Sequence, residues 1–200
     1  MNKQLRKLVT LTGPTCSGKT TLLSSMIKNQ GFNNVVSHTT REPRVGELDG
    51  TDYYFISKKD FQLKYDQKDF IETVPFRGNM YGVCTSQIKN AWLNKGIPVL
   101  IVEPTGLHQI CQYCYDNEIQ HTSVYIGGEL NILMDRYLNR SSDVDFSESV
   151  TREVHARRLS GMHAELDWEW DFPYDINFIS SNEEVLENQI ETIKRRINNG

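Results

Sequence analysis

Apolar positions along this chain alternate between two spacings, period two and the three-to-four spacing of a helix, and the switches between them mark out the elements. KLVTLTG reads as a first strand ending at Gly13, and TTLLSSMIKNQG as a helix stopped by Gly31. NNVVS and YYFIS read as short strands, followed by an amphipathic helix over KKDFQLKYDQKDF. FIETVPF and MYGV suggest a hairpin or small sheet around Arg77-Gly78-Asn79. TSQIKNAWLNKG is helical with Gly96 behind it, and IPVLIV is an apolar, β-branched run suited to a buried parallel strand. The alternation continues through LHQICQYCYDN (helix), TSVYI (strand), ELNILMDRYLNR (helix) and a long polar helical stretch, DFSESVTREVHARRLSGMHAEL. YDINFIS is a last strand and NEEVLENQIETIKRRI a terminal amphipathic helix. Strands alternating with helices at these loop lengths predict an α/β fold, a parallel sheet flanked by helices. No internal repeat, low-complexity tract or linker interrupts the pattern.

Composition narrows this picture. Two hundred residues suit one domain and are ample to bury a core. Hydrophobic residues at 38% and charged residues at 24% have the balance of a soluble globular protein. No run of 18 apolar residues suggests a membrane span, and the apolar part of MNKQLRKLVTLTG is too short for a signal peptide, so a cytoplasmic protein is expected. A net charge of -4 argues against non-specific nucleic-acid binding, leaving any polyanion to a local basic site. Cys16, Cys84, Cys111 and Cys114 are too few for a disulfide framework. CQYC lacks a second pair of zinc ligands and reads as ordinary thiols on two turns of one helix.

The chemistry begins at residues 13–21, GPTCSGKTT, which fit G-x-x-x-x-G-K-[ST] between a predicted strand and a predicted helix. In such a loop, made here by Gly13, Pro14, Thr15, Cys16, Ser17, Gly18, Lys19, Thr20 and Thr21, the glycines let backbone N–H groups curl around phosphate oxygens. The helix N-terminus adds its positive end. Lys19 would reach the β and γ phosphates, and the Thr20 hydroxyl would ligate Mg²⁺. A nucleoside triphosphate is therefore expected.

A second stretch, SHTTREPRVGELDGTDYYF at 37–55, is too polar and too broken by Pro43, Gly46 and Gly50 for a core element. Arg41, Arg44, Tyr53 and Tyr81 are residue types that grip a phosphate. Glu72, after the apolar Ile71, is placed to accept from a bound base. The alternative is that the arginines pair on the surface with Glu42, Glu47 or Asp49, which contributes little.

Taken together, the P-loop, TTREPRVGELDGTDYYF, FIETVPFRGNMYGV, and RYLNR with a later RRL resemble guanylate kinase in order and spacing over nearly the whole chain. The resemblance implies a P-loop kinase fold with a core at about 1–34, 84–128 and 170–200, an NMP-binding region at about 35–83 and a helical lid at about 129–169. It implies transfer of the γ-phosphoryl of ATP, with Mg²⁺, to GMP or dGMP. It assigns Arg41, Arg44, Tyr53 and Tyr81 to the acceptor phosphate and Ser37 and Glu72 to guanine. Glu47, Gly82, Val83 and Glu103 are placed at the same acceptor site. Lys19, Arg41, Arg136, Arg140 and either Arg157 or Arg158 would neutralise the transferring group. Nucleotides are the expected partners, with no nucleic acid or membrane, and the chain is expected to be a monomer or homodimer.

The chain departs from the family pattern at three places. Val83 stands where a Thr or Ser hydroxyl usually helps read guanine. Ile101 and Glu103 replace a pair of aspartates, followed by Pro104-Thr105-Gly106 in place of Gln-Gly. Ser180 aligns with an asparagine near adenine, with Asn182 close by. A lost hydrogen bond in a dry pocket costs about 1–3 kcal/mol, unless Cys84, Thr85 or water compensates. The changes therefore read either as a compensated guanine site, favoured by the intact Glu72 and Ser37, or as altered base choice. Rival readings are a kinase for another (deoxy)nucleoside monophosphate and a non-catalytic binding module, the latter at odds with the intact Gly18, Lys19 and Thr20. A P-loop NTPase acting on nucleic acid would leave Arg41 to Tyr54 unexplained.

Overall fold

The computed structural model describes residues 5–28, 31–140, 149–180 and 184–199. The first strand, β1 (Arg6–Thr12), is buried from Leu8 onward. It forms the centre of a five-stranded parallel sheet with β2 (Phe32–Asn34), β7 (Ile97–Ile101), β8 (Ile119–Gly127) and β9 (Ile176–Ile179), in the order β2-β7-β1-β8-β9. Period-two alternation splits its side chains between two cores. Val9, Leu11 and Val99 pack beneath α1 (Lys19–Lys28) and α7 (Glu184–Asn199), with Leu22, Met26, Ile190 and Ile193. Leu8 and Leu100 pack on the other side, against α3 (Thr85–Leu93) and α4 (Pro104–Asp116), through Ile88, Leu107 and Ile110. Apolar residues on both faces of every central strand are what a parallel sheet under two helical layers requires.

A second sheet, ordered β4-β3-β6-β5, carries β3 (His38–Thr39), β4 (Tyr54–Phe55), β5 (Phe70–Phe76) and β6 (Asn79–Cys84). Its outer face is covered by α2 (Lys58–Asp66), whose Phe61 ring stacks on Phe70 at 4.5 Å. Gln109 ties the small sheet to α4, which packs on the large one. Its side chain accepts from the Thr73 N–H at 3.1 Å and donates to the Thr73 carbonyl at 3.0 Å, supplying β5 with the partners a further strand would give. Two more helices, α5 (Leu130–Arg140) and α6 (Ser149–Leu166), pack through Leu133, Tyr137 and Met162.

Several boundaries differ from the sequence pattern. The strand expected over TSVYI begins earlier, at Ile119, because its polar residues find partners. Gln120 Nε2 donates to the Ile197 carbonyl, and the His121 Nε2 lies 2.9 Å from Thr10 Oγ1. The NNVVS strand ends at Asn34. The helix expected from Leu107 begins at Pro104, whose fixed φ suits a first turn. Behind α3 the left-handed residue is Lys95 (φ 57°) rather than Gly96. Cys111 and Cys114 do sit on one helix as free thiols.

Candidate active site

β1 delivers the chain to residues 13–18 at its C-terminal end, where parallel sheets place their ligand sites. A Cβ on Gly13 would lie 2.1 Å from the Ile126 carbonyl oxygen, so only glycine lets the loop pass β8. Cys16 and Gly18 hold positive φ (63° and 97°), and α1 starts at Lys19, aiming its unpaired N-terminal N–H groups at the loop. Lys19 Nζ donates to the Gly13 and Pro14 carbonyls at 2.8 and 2.7 Å. Burial lowers its pKa to about 8, against the opposing pull of Glu165, Cys16 and Glu103. Ser17 Oγ is buried without a hydrogen-bond partner. Thr20 lies exposed on the first turn of α1, followed by Thr21. Glycine-dependent backbone, converging N–H groups, an ammonium and an unsatisfied hydroxyl fit a triphosphate.

On the small sheet, Arg41 is fixed from several directions. Its Nη1 and Nη2 bind the two Glu47 oxygens at 2.9 and 3.0 Å, its Nε donates to Tyr81 OH at 3.3 Å, and its guanidinium lies 5.4 Å over the Tyr53 ring. Burial pulls its pKa down, but the hydrogen bonds to Glu47 and Tyr81 outweigh it and hold it above the ordinary value. Burial likewise pushes Glu47 up, and the bonds from Arg41 and the Arg44 N–H bring it below the usual carboxylate value. Arg44 Nη1 stands 3.9 Å from Glu47. The pairing with Glu47 is therefore made, as the surface alternative foresaw. Both partners are only 14% exposed, however, and one carboxylate orients a guanidinium beside two phenols. Asp49 accepts from the Phe55 N–H at 2.8 Å and Asp52 from the Leu48 N–H at 2.9 Å, so the acids of this stretch fix its loop.

Deeper in the sheet, Glu72 is 5% exposed, with Oε2 lacking a hydrogen-bond partner, and burial pushes its pKa up to about 8. A Cβ on Gly106 would come within 3.0 Å of that oxygen, so glycine in the first turn of α4 leaves room for the carboxylate. Val83 pairs with Glu72 across the β5–β6 ladder and is fully buried in the apolar core under α3 and α4. Cys84 does not replace the missing hydroxyl. Its Sγ lies 3.7 Å from His38 Nδ1, on the α2 side of the sheet. Thr85 opens α3, with its N–H on the Asp69 carbonyl. Glu103 is the N-cap of α4, and its pKa is raised to about 8, by burial first and then by Glu165 and Glu72. The Ser37 carbonyl accepts from the Tyr54 N–H, and Gly82 pairs with His38 across the strands.

The family model for guanylate kinase matches residues 5–198. The chain belongs to the guanylate kinase family. It is 32% identical to the guanylate kinase of Sus scrofa over 162 residues, 80% of this chain and 76% of that one. It is 41% identical to the guanylate kinase of Prochlorococcus marinus over 110 residues, 54% of this chain and 59% of that one. The crystal structure of guanylate kinase from Anaplasma phagocytophilum shares the fold, with a TM-score of 0.67 at 21% identity over 98% of this chain and 89% of that one.

The arginines expected on a lid divide. Arg136 of α5 donates to Ser180 Oγ at 2.5 Å and to the Cys16 carbonyl at 3.5 Å, which brings it to the P-loop. Arg157 is exposed on α6. The side chains of Arg140 and Arg158, and the whole of Asn182, lie outside the described residues. Two residues at the site were not singled out from the sequence. Glu165 of α6, 5% exposed, accepts from the Thr15 N–H at 2.6 Å and from Arg77 Nη2 at 2.5 Å. Both sit in stretches whose pattern reads as solvated helix face or hairpin turn, and no local signal links positions 88 residues apart.

Proposed function

We propose that this protein is an ATP-dependent guanylate kinase, converting ATP and GMP or dGMP into ADP and GDP or dGDP. Family membership and one observation carry this reading. Glu165 bridges the glycine-rich loop to the turn of a separate sheet, on which Arg41, Tyr53 and Tyr81 cluster and which also carries a buried carboxyl, Glu72, with an unused acceptor oxygen. Guanine offers N1–H and a 2-amino group to such an acceptor, and adenine cannot satisfy it in that pattern.

In this proposal residues 13–21 hold the ATP phosphates, with Lys19 moving from the Gly13 and Pro14 carbonyls to the β and γ oxygens. Thr20 would hold Mg²⁺, which binds mainly through phosphates and water and needs few protein ligands. When bound, the ion neutralises developing charge on the phosphoryl oxygens. Arg41, oriented by Glu47, and Arg44 hold the acceptor phosphate, with Tyr53 and Tyr81 as phenolic donors. Arg136 approaches from α5, and closure of α5 and α6 as a lid excludes water that would hydrolyse ATP. The core, NMP-binding and lid divisions follow those roles. No helix among the described residues is long and apolar enough to cross a membrane. A nucleotide-pool kinase of this kind is expected to work in the cytoplasm.

The test is ADP formation by purified protein with ATP and Mg²⁺, with and without GMP, beside a Lys19→Met variant. GMP-dependent ADP formation that falls about 10²–10³-fold in the variant supports the reading. ADP formation indifferent to GMP overturns it.

A further inference from the structure

The turn between β5 and β6 holds a residue that local backbone preference disfavours. Phe76 pairs with Asn79, leaving a two-residue loop of Arg77 and Gly78 with φ of 49° and 80°. Positive φ at both central positions favours Asn, Asp or Gly at the first, and an ordinary side chain there is strained. The molecule keeps an arginine at this position and gives its side chain a made-to-fit seat. The Arg77 guanidinium lies 5.0 Å over the Phe76 ring and reaches α6, where a Cβ on Gly161 would stand 3.2 Å from Nη2. One turn further along the same helix face, Glu165 Oε1 accepts from Nη2 at 2.5 Å. The other oxygen of that buried carboxylate accepts from the Thr15 N–H of the phosphate loop at 2.6 Å. Glu165 thus has both oxygens committed, one to each substrate region.

The path continues into the acceptor side. The Phe76 ring packs edge-on to Tyr81 at 6.3 Å and lies 6.4 Å from Trp168 beyond α6, and Tyr81 OH accepts from Arg41. Arg77 and Lys19 also both lower the Glu103 pKa against burial, so the turn cation acts in the same field as the loop lysine. A contiguous chain of contacts therefore runs from the acceptor-phosphate residues through Phe76, Arg77 and Glu165 to the loop that holds the donor.

We propose that Arg77 is a positioning residue for phosphoryl transfer: through Glu165 it couples the acceptor-binding sheet to the phosphate loop, so that binding of either nucleotide favours the geometry that binds the other. The inference rests on the guanylate kinase reading and adds a coupling element to it. Such coupling is reciprocal and measurable as the factor by which one ligand changes the affinity of the other. A merely structural role would lower melting temperature and both affinities while leaving that factor unchanged.

The experiment is calorimetric titration of GMP into the full chain, with and without saturating Mg²⁺ and a non-hydrolysable ATP analogue. It is repeated for Arg77→Met and for the double variant Arg77→Met/Glu165→Gln. The double variant removes the buried charge that the single variant leaves unpaired, while glutamine still accepts from the Thr15 N–H. The parent is expected to bind GMP at least about fivefold more tightly when the donor analogue is present. In both variants that factor falls to within about twofold of one, whatever the change in affinity for GMP alone. A factor equal to the parent's in the double variant, or no such factor in the parent, overturns the inference. Turnover of ATP with GMP by the parent separates the two ideas. Its absence sinks the functional reading, whereas turnover with an unchanged factor sinks only the coupling.

Discussion

Glu72 gives a sharp test of how the proposed base pocket is built, through Glu72→Gln. Burial raises this carboxyl from 4.5 to about 8, so the folded protein binds its proton more tightly than the unfolded chain does. For a raised acid the sign is fixed. The stabilisation is complete below the unfolded value of 4.5, and it is lost as pH rises toward and through about 8. At about 1.36 kcal/mol per pKa unit the full effect is about 5 kcal/mol, of which about 4 kcal/mol develops between about pH 5 and pH 8.5. The glutamine does not titrate, so any packing or hydrogen-bond cost of its amide is an offset independent of pH. Scanning calorimetry of both proteins at the two pH values should show the variant gaining on the parent by about 8 °C or more, from roughly 2–4 °C per kcal/mol at this size. The change in the gap is the observable, not its size. A gap that stays the same at both pH values would refute the claim that an unsatisfied, buried carboxyl sits in this pocket.

Further outcomes follow from neighbouring groups. Lys19 is lowered to about 8 chiefly by burial, so it loses its proton as pH passes about 8, and kcat/KM for ATP should fall above that value. A pH profile flat to about pH 9.5 would contradict this. Glu47→Gln removes the charge that orients Arg41 and should raise KM for GMP about tenfold or more, as loss of a charged hydrogen bond costs about 1.5–3 kcal/mol. ATP affinity measured alone should not change. Gly106→Ala drives a methyl group to 3.0 Å from Glu72 Oε2 and should weaken GMP binding in titration, with little effect on the ATP analogue.

How far the sequence could be read depends on how local each feature is. The phosphate loop was legible because its glycines, lysine and hydroxyl are consecutive and sit between a strand and a helix. The stretch from Ser37 to Phe55 was legible as an irregular polar loop, and its acids turned out to hold that loop through Asp49 and Asp52. The start of β8 was not legible, since Gln120 and His121 break the apolar pattern and their partners, the Ile197 carbonyl and Thr10, are distant in sequence. Glu165 was hidden for the same reason. On a polar helix it reads as solvated, and only the packing of α6 against the loop and the β5–β6 turn buries it. Cys84 looked like a substitute hydrogen bonder beside Val83, and the alternation of β6 turns it toward His38 instead.

Val83 and Ile101 make base choice the decisive measurement. The protein should be given ATP, Mg²⁺ and an equimolar mixture of GMP, dGMP, AMP, CMP, UMP and dTMP, with the diphosphates resolved by chromatography at early times. The account predicts GDP and dGDP as the dominant products, which makes Val83 a packing substitution in a guanine site. A dominant diphosphate of any other base would contradict it, and would mean that Glu72 and its apolar neighbour read a different edge.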